Sequence, residues 1–321
     1  MQSFQTLSAL FDEQFSKRHF PSSPKNLYDA SQYILNIGGK RVRPVSVLMG
    51  NELFSDIAAD AYQVANAIEL FHNFSLIHDD IMDKAPRRRG VPTVHMNYGE
   101  STALLAGDVM LVAAYDYLNK IDSTLLHAIL SIFNQTARQV CEGQQLDMDF
   151  EQMDYVSLDD YMNMITLKTS VLLAASLQMG AILGGAGIGN REHIYEFGKN
   201  LGIAFQVQDD YLDCYGDPEK FGKQVGGDIL ANKKTFLMIH ALEVASDVQK
   251  TELQQLLVSN PEDKVARVLQ LFKDCKADAW AASLKEKYYA AALKHLDDIA
   301  VLNARKVELQ KLASYLLERD S

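Results

Sequence analysis

Helical periodicity constrains this chain more than any other feature. Val64, Ala67, Ile68, Phe71, Phe74 and Ser75 recur at three- and four-residue spacing and lead into Asp79 and Asp83, the pattern of one buried helix face. Stretches near 101–119, 122–150, 157–187, 191–213, 233–245, 261–275, 277–298 and 302–318 read the same way. Asn260 ahead of Pro261 predicts a helix start, and Ser157 with Asp160 resembles a capping box. The glycines of 184–189 fit a turn between helices. No stretch alternates as a half-buried strand does, and there is no βαβ rhythm, Walker-type loop, repeat or linker. The predicted fold class is all-α, a single domain over 1–321 built as a bundle of long helices.

A net charge of −11 argues against general nucleic-acid binding, which needs a dominant cationic surface. Cys141, Cys214 and Cys275 lie far apart, so neither a disulfide framework nor a zinc spacing can be built from them. Reduced thiols fit a cytoplasmic location. Asp12 and Glu13 break the apolar stretches of the N-terminus, unlike a signal peptide. No run approaches the roughly 20 apolar residues of a membrane span, so no stable membrane anchor is expected.

Two DDxxD motifs carry the chemistry: Asp79-Asp80-Ile81-Met82-Asp83 and Asp209-Asp210-Tyr211-Leu212-Asp213. Each closes a predicted long helix, where carboxylates oppose the negative end of the helix dipole. Asp79 and Asp83 also repel one another across one turn. Cations should compensate, and hard oxygen ligands favour magnesium. Magnesium commonly bridges one or two carboxylates to substrate phosphates, so two such clusters imply a phosphate-bearing substrate held between them. Clamped by metal, a diphosphate also leaves more readily. Asp159-Asp160 begins a similar pattern, but Asn163 takes the last place, and that pair reads as a helix start.

Basic clusters accompany both motifs. Lys40 and Arg43 lie one turn apart in Gly38-Gly39-Lys40-Arg41-Val42-Arg43-Pro44. Arg87, Arg88 and Arg89 follow the first motif, while Lys223, Lys233 and Lys234 follow the second. Arginine suits bidentate phosphate contact, and lysine acts as a compact point charge. His72, seven residues before Asp79, shares its helix face.

Taken in order, GGKRVRP, ELFHNFSLIHDDIMD, RRG, LLAGD, GQQLD, LKTS, FQVQDDYLD and GKQVGGDILANKKT resemble the trans-isoprenyl diphosphate synthases, the polyprenyl synthetase family, over about residues 30–245. The resemblance implies an isoprenoid synthase bundle around a central apolar cavity. It also implies head-to-tail condensation of isopentenyl diphosphate with an allylic diphosphate, with about three magnesium ions per site and a homodimeric assembly. By the same resemblance, Asp79, Asp83 and Asp209 ligate metal, supported by Asp80, Asp210, Asp213, Gln144 and Asp147. Lys40, Arg43, His72 and Arg89 match positions holding isopentenyl diphosphate. Arg88, Lys168, Lys223 and Lys233 match those holding the allylic diphosphate. Thr169 and Gln206 would face the carbocation. Arg87 adds a third arginine ahead of the family's pair, which leaves the assignment among the arginines open.

A helix turn rises about 5.4 Å, close to one isoprene unit, so residues upstream of Asp79 act as a ruler. Ser75 is small, Phe74 is bulky, and Phe71 and Ile68 lie deeper. An aromatic residue at the Phe74 position resembles short-chain enzymes. The expected product is C20 geranylgeranyl diphosphate, with C15 farnesyl diphosphate next and a longer chain obstructed by Phe74 and Phe71. The alternatives are a class I terpene cyclase, which leaves GGKRVRP with RRG unexplained, and a non-catalytic synthase subunit, which would be expected to lose aspartates.

Overall fold

A computed structural model describes residues 1–216 and 225–318. In chain order its helices are α1 Phe4–Phe15, α2 Lys25–Asn36, α3 Val42–Glu52, α4 Ala59–Met82, α5 Val94–Tyr98, α6 Glu100–Leu118, α7 Ser123–Gln152 and α8 Leu158–Ile165. They continue with α9 Val171–Leu183, α10 Ile188–Tyr215, α11 Gly227–Leu230, α12 Phe236–Val244, α13 Asp247–Val258, α14 Lys264–Asp274, α15 Ala277–Asp298 and α16 Asn303–Leu317. A π-helical turn, Thr166–Ser170, joins α8 to α9. The all-α class is found. Among the described residues the β-structure is one hairpin, β1 Arg87–Arg88 against β2 Val91–Pro92.

The described residues group into two compact units. The first comprises Met1–Asn134, Ala175–Ile194 and Ala300–Glu308; the second comprises Gln135–Ala174, Tyr195–Ile299 and the chain from Leu309. In the first, α6 packs chiefly on α4 and also on α2, and buries Ala103, Ala106, Gly107, Met110, Ala114 and Leu118. That stripe of three- and four-residue steps is mostly small, which lets the helix axes approach closely. Leu7 and Phe11 of α1 and Phe71 of α4 are fully or almost fully buried, each worth about 1.5–3 kcal/mol relative to exposure. In the second, Tyr161, Ile165, Val207, Phe236, Leu237, Leu253, Val268 and Phe272 form one core.

Several helix ends differ from expectation. Asn260 caps nothing: residues 261–263 form a turn in which the Lys264 N–H bonds the Pro261 carbonyl at 3.1 Å, and α14 starts only at Lys264. The stretch expected over 233–245 begins at Phe236, behind Thr235. Ser157 does cap α8, accepting from the Asp160 N–H at 3.1 Å, but the Asp160 carboxylate takes the Ser157 hydroxyl at 2.6 Å. The turn at 184–189 forms as expected, with Gly185 at φ +80°. One helical stretch, Leu158–Leu183, is long and apolar enough to cross a membrane, contrary to the sequence reading; 72% of its most apolar window is buried inside the structure.

Candidate active site

The first unit carries the first aspartate motif and most of the basic residues. Asp79 and Asp80 occupy the last turn of α4, and Asp83 caps it, its N–H bonding the Asp79 carbonyl at 2.8 Å. The hairpin then doubles back through Arg89 and Gly90, at φ +51° and +80°. Two positive φ values make the mirror-image turn that matches strand twist. This turn distributes the three arginines. Arg87 Nη1 donates to the Gly90 carbonyl at 3.0 Å and closes the hairpin. Arg88 donates from Nε and Nη2 to the two oxygens of Asp80 at 2.9 and 2.8 Å. Arg89 extends over Gly39, where a Cβ would lie 3.0 Å from its Nη1.

The Arg89 charge acts on Arg43 and on His72. Arg43 Nη1 donates to His72 Nε2 at 3.2 Å. Burial, then Arg43 and the arginines beyond it, hold His72 well below its ordinary range, so the imidazole is neutral and accepts at Nε2. Burial chiefly, and Arg89 in part, lower Arg43 against the pull of Glu69. Arg41 faces inward, ion-paired with buried Glu69 and with Asp12 at 3.0 Å. Glu69 also accepts from Asn73 Nδ2 at 3.0 Å. Lys40 is exposed just ahead of α3. Like charges packed this closely favour an anion.

An aromatic row also runs through this unit. Ring centroids are 4.8 Å apart for Phe74 and His78, 5.5 Å for Phe71 and Phe74, 5.4 Å for Phe71 and Phe133, and 5.2 Å for Tyr115 and Phe133. Ser75 faces back into its own helix, donating to the His72 carbonyl at 2.8 Å.

The second unit holds a cavity of about 220 Å³ lined by Asp147, Asp209, Asp210, Asp213, Asp228, Lys168, Lys233, Thr169 and Gln206. The π turn presents Lys168 and Thr169, a geometry often found at functional sites. Glycines on both flanking helices make room for it: a Cβ at Gly143 would stand 2.3 Å from Lys168 N, and one at Gly202 would stand 2.8 Å from Ser170 Cα. Lys168 Nζ bonds Asp147 Oδ2 at 2.5 Å. Thr169 Oγ1 donates to Gln206 Oε1 at 3.2 Å, and Gln206 Nε2 donates to Asp210 Oδ1 at 2.8 Å. The Tyr161 hydroxyl closes the row on the other Asp210 oxygen. Burial, and behind it the Asp228 carboxylate, push Asp210 up to about 7 against those hydrogen bonds. Asp213 Oδ2 accepts from the Asp228 N–H at 3.0 Å. Gln144 is buried on α7 outside the cavity lining. Lys223 lies outside the described residues.

Sequence reasoning missed Asp228 and Tyr161. Asp228 had a signal, since it ends the Gly226-Gly227-Asp228 run; Tyr161 had none. Among the described residues no three His, Cys, Asp or Glu side chains converge on one point. The donor set nevertheless fits magnesium: hard oxygens, crowded enough that Asp228 and Asp209 both raise Asp210, and a magnesium ion bridged to diphosphate would need only one or two of them.

An all-helical chain with two DDxxD clusters, each accompanied by basic side chains, defines a class of prenyl-transferring enzymes. The polyprenyl synthetase profile matches residues 24–275. A short chain isoprenyl diphosphate synthase from Methanothermobacter thermautotrophicus is 38% identical over 314 residues, 98% of this chain and 96% of that protein. A geranylfarnesyl diphosphate synthase from Natronomonas pharaonis is 33% identical, covering 97% and 95%. A solved geranylgeranyl pyrophosphate synthase is 41% identical over the whole of both chains, with a TM-score of 0.94. This chain belongs to the polyprenyl synthetase family. It is a short-chain trans-prenyltransferase, and neither a cyclase nor a non-catalytic subunit is favoured.

Proposed function

We propose that this enzyme adds isopentenyl diphosphate to an allylic diphosphate and stops at C20, geranylgeranyl diphosphate. The observation that carries the length is the ring of Phe74, five residues upstream of Asp79 and packed between His78 and Phe71. One turn of α4 corresponds to about one isoprene unit, so growth along α4 from Asp79 meets Phe74 early and Phe71 behind it. The names of the relatives, short-chain, geranylgeranyl and geranylfarnesyl, support that range.

Arg43, His72, Lys40 and Arg89 hold the diphosphate of isopentenyl diphosphate. Arg88, Lys168 and Lys233 hold the allylic diphosphate, with Lys223 as a further candidate outside the described residues. Asp79, Asp83 and Asp209 ligate magnesium; Asp80, Asp210, Asp213, Asp147 and Gln144 support them. Bound magnesium, about three ions per site, neutralises charge on the departing diphosphate. The cationic side chains fix that group so that its C–O bond breaks with the electron pair leaving on oxygen. The double bond of isopentenyl diphosphate attacks the allylic cation, and a proton passes to the released diphosphate. Thr169 gives its hydrogen to Gln206, leaving oxygen lone pairs to stabilise the cation. Phe150, Met164 and Ile165 line the same cavity and give it the apolar wall that shielding a cation from water requires.

The enzyme acts in the cytoplasm as a homodimer without a membrane anchor. The buried Leu158–Leu183 helix supports the absence of an anchor. The dimer is carried from the family resemblance, and exposed Leu105 and Val112 on α6 offer apolar area for it. The test of length is extension of a C15 primer by labelled isopentenyl diphosphate. Addition of one unit and arrest at C20 is expected; products of several further units overturn the C20 assignment.

A further inference from the structure

The ring of His78 is held from three directions within the first unit. It lies one turn beyond Phe74 on α4, and the two rings meet edge to face at 4.8 Å. Its Nε2 sits 3.1 Å from the Leu104 carbonyl of α6. A carbonyl only accepts, so Nε2 carries the proton. The ring also occupies the space that Gly107 leaves open: a Cβ there would stand 2.3 Å from Nε2 and 2.5 Å from Cδ2. No real Cβ contact is so short, and the opposing atoms belong to a ring that cannot fold away. The glycine of Leu104-Leu105-Ala106-Gly107-Asp108 is therefore the socket for His78.

His78 has no part in the diphosphate or metal chemistry proposed above. Its effect falls on Phe74, which has Phe71 on one flank, 1% exposed, and His78 on the other. A phenylalanine supported on one flank alone can turn about χ1 to another staggered position. We infer that His78 is a positioning residue for product length: seated on Gly107 and bonded to Leu104, it props the Phe74 ring where that ring ends the growing chain. Specificity is thereby set by helix packing, through a residue that need not touch the prenyl chain. This rests on the reading of Phe74 as the floor.

The test compares product-length distributions from isopentenyl diphosphate and a C15 primer for the wild type, Phe74→Ala, His78→Ala, His78→Phe and Gly107→Ala. Phe74→Ala should lengthen the product. His78→Ala and Gly107→Ala should raise the share longer than C20 by roughly two- to tenfold, the range that loss of one aromatic contact gives. His78→Phe, which keeps a ring and loses the N–H, should restore the wild-type distribution. That share is a ratio among products actually made, so a loss of stability or of active fraction does not move it. If Gly107→Ala fails to fold, His78→Ala decides, because it removes atoms and inserts none. Longer products from Phe74→Ala with an unchanged distribution from His78→Ala would remove His78 and leave the floor standing. An unchanged distribution from active Phe74→Ala would remove the floor, and this inference with it. A His78→Phe distribution like that of His78→Ala would overturn the propping role of the ring.

Discussion

Arg88 grips Asp80 with both arms of its guanidinium fork, Nε to Oδ2 at 2.9 Å and Nη2 to Oδ1 at 2.8 Å. Two residues proposed to serve the allylic diphosphate and the metals thus hold one another. Asp80 is 2% exposed, so the pair is structural as well as chemical. Removing the guanidinium with Arg88→Ala should destabilise the fold by about 3 kcal/mol, the low end for a buried pair because Arg88 is partly exposed. Urea denaturation measures this. Arg88→Lys keeps a charge but loses the fork. It should raise the KM for the allylic primer more than the KM for isopentenyl diphosphate; equal effects would argue against the allylic assignment.

His72 supplies a pH dependence. Burial and the surrounding arginines lower it well below the ordinary value of about 6.5. A lowered base contributes stability above its unfolded pKa, and that contribution is lost as pH falls from about 6.5 toward the folded value. A diphosphate held at His72, as proposed, would pull the pKa back up, so binding would take up a proton. The affinity for isopentenyl diphosphate should therefore strengthen as pH falls from 8 toward 6, and His72→Asn should flatten that slope. Calorimetry in buffers of different ionisation enthalpy reads the proton directly; no uptake would separate His72 from the diphosphate.

Asp210 behaves in the opposite sense. Raised to about 7 by burial and Asp228, it costs stability increasingly as pH rises from about 3.9 to 7. In EDTA, Asp210→Asn should raise Tm at pH 8 and change it little at pH 4, while condensation activity falls. The same Tm change at both pH values would show that the buried charge is not the cause.

Gly143 gives a steric prediction. A methyl group there meets the Lys168 backbone nitrogen at 2.3 Å and the Leu167 carbonyl carbon at 2.8 Å, and backbone cannot step aside. Gly143→Ala should cost about 1–3 kcal/mol and lower kcat by displacing Lys168 and Thr169. Unchanged kcat would mean that the π turn does not position them.

The chemistry was legible in the sequence because it depends on residue types at short spacing. DDxxD on α4 and on α10 fixes two acidic clusters, and Arg89 lies against Gly39, so the GGKRVRP and RRG motifs meet. What stayed hidden depends on distant partners. Tyr161 meets Asp210 from 49 residues away, and Arg41 turns inward because Glu69 waits 28 residues on. The π turn at 166–170 follows from glycines on two other helices, and no local propensity announces it. The Arg89-Gly90 turn escaped notice because an arginine takes the left-handed position that asparagine usually fills. Pro261 misled because proline opens turns as readily as helices.

The central claim is that both aspartate clusters serve one reaction. It is tested most directly by the rate of labelled isopentenyl diphosphate incorporation at saturating magnesium for wild type, Asp79→Ala, Asp209→Ala and the double variant. Residues acting as one unit are non-additive. Each single substitution should therefore cost about 100-fold or more, as removal of a transition-state stabiliser does, and the double should be little worse than either. A single variant that keeps the wild-type rate, from folded protein with magnesium present, would contradict the account.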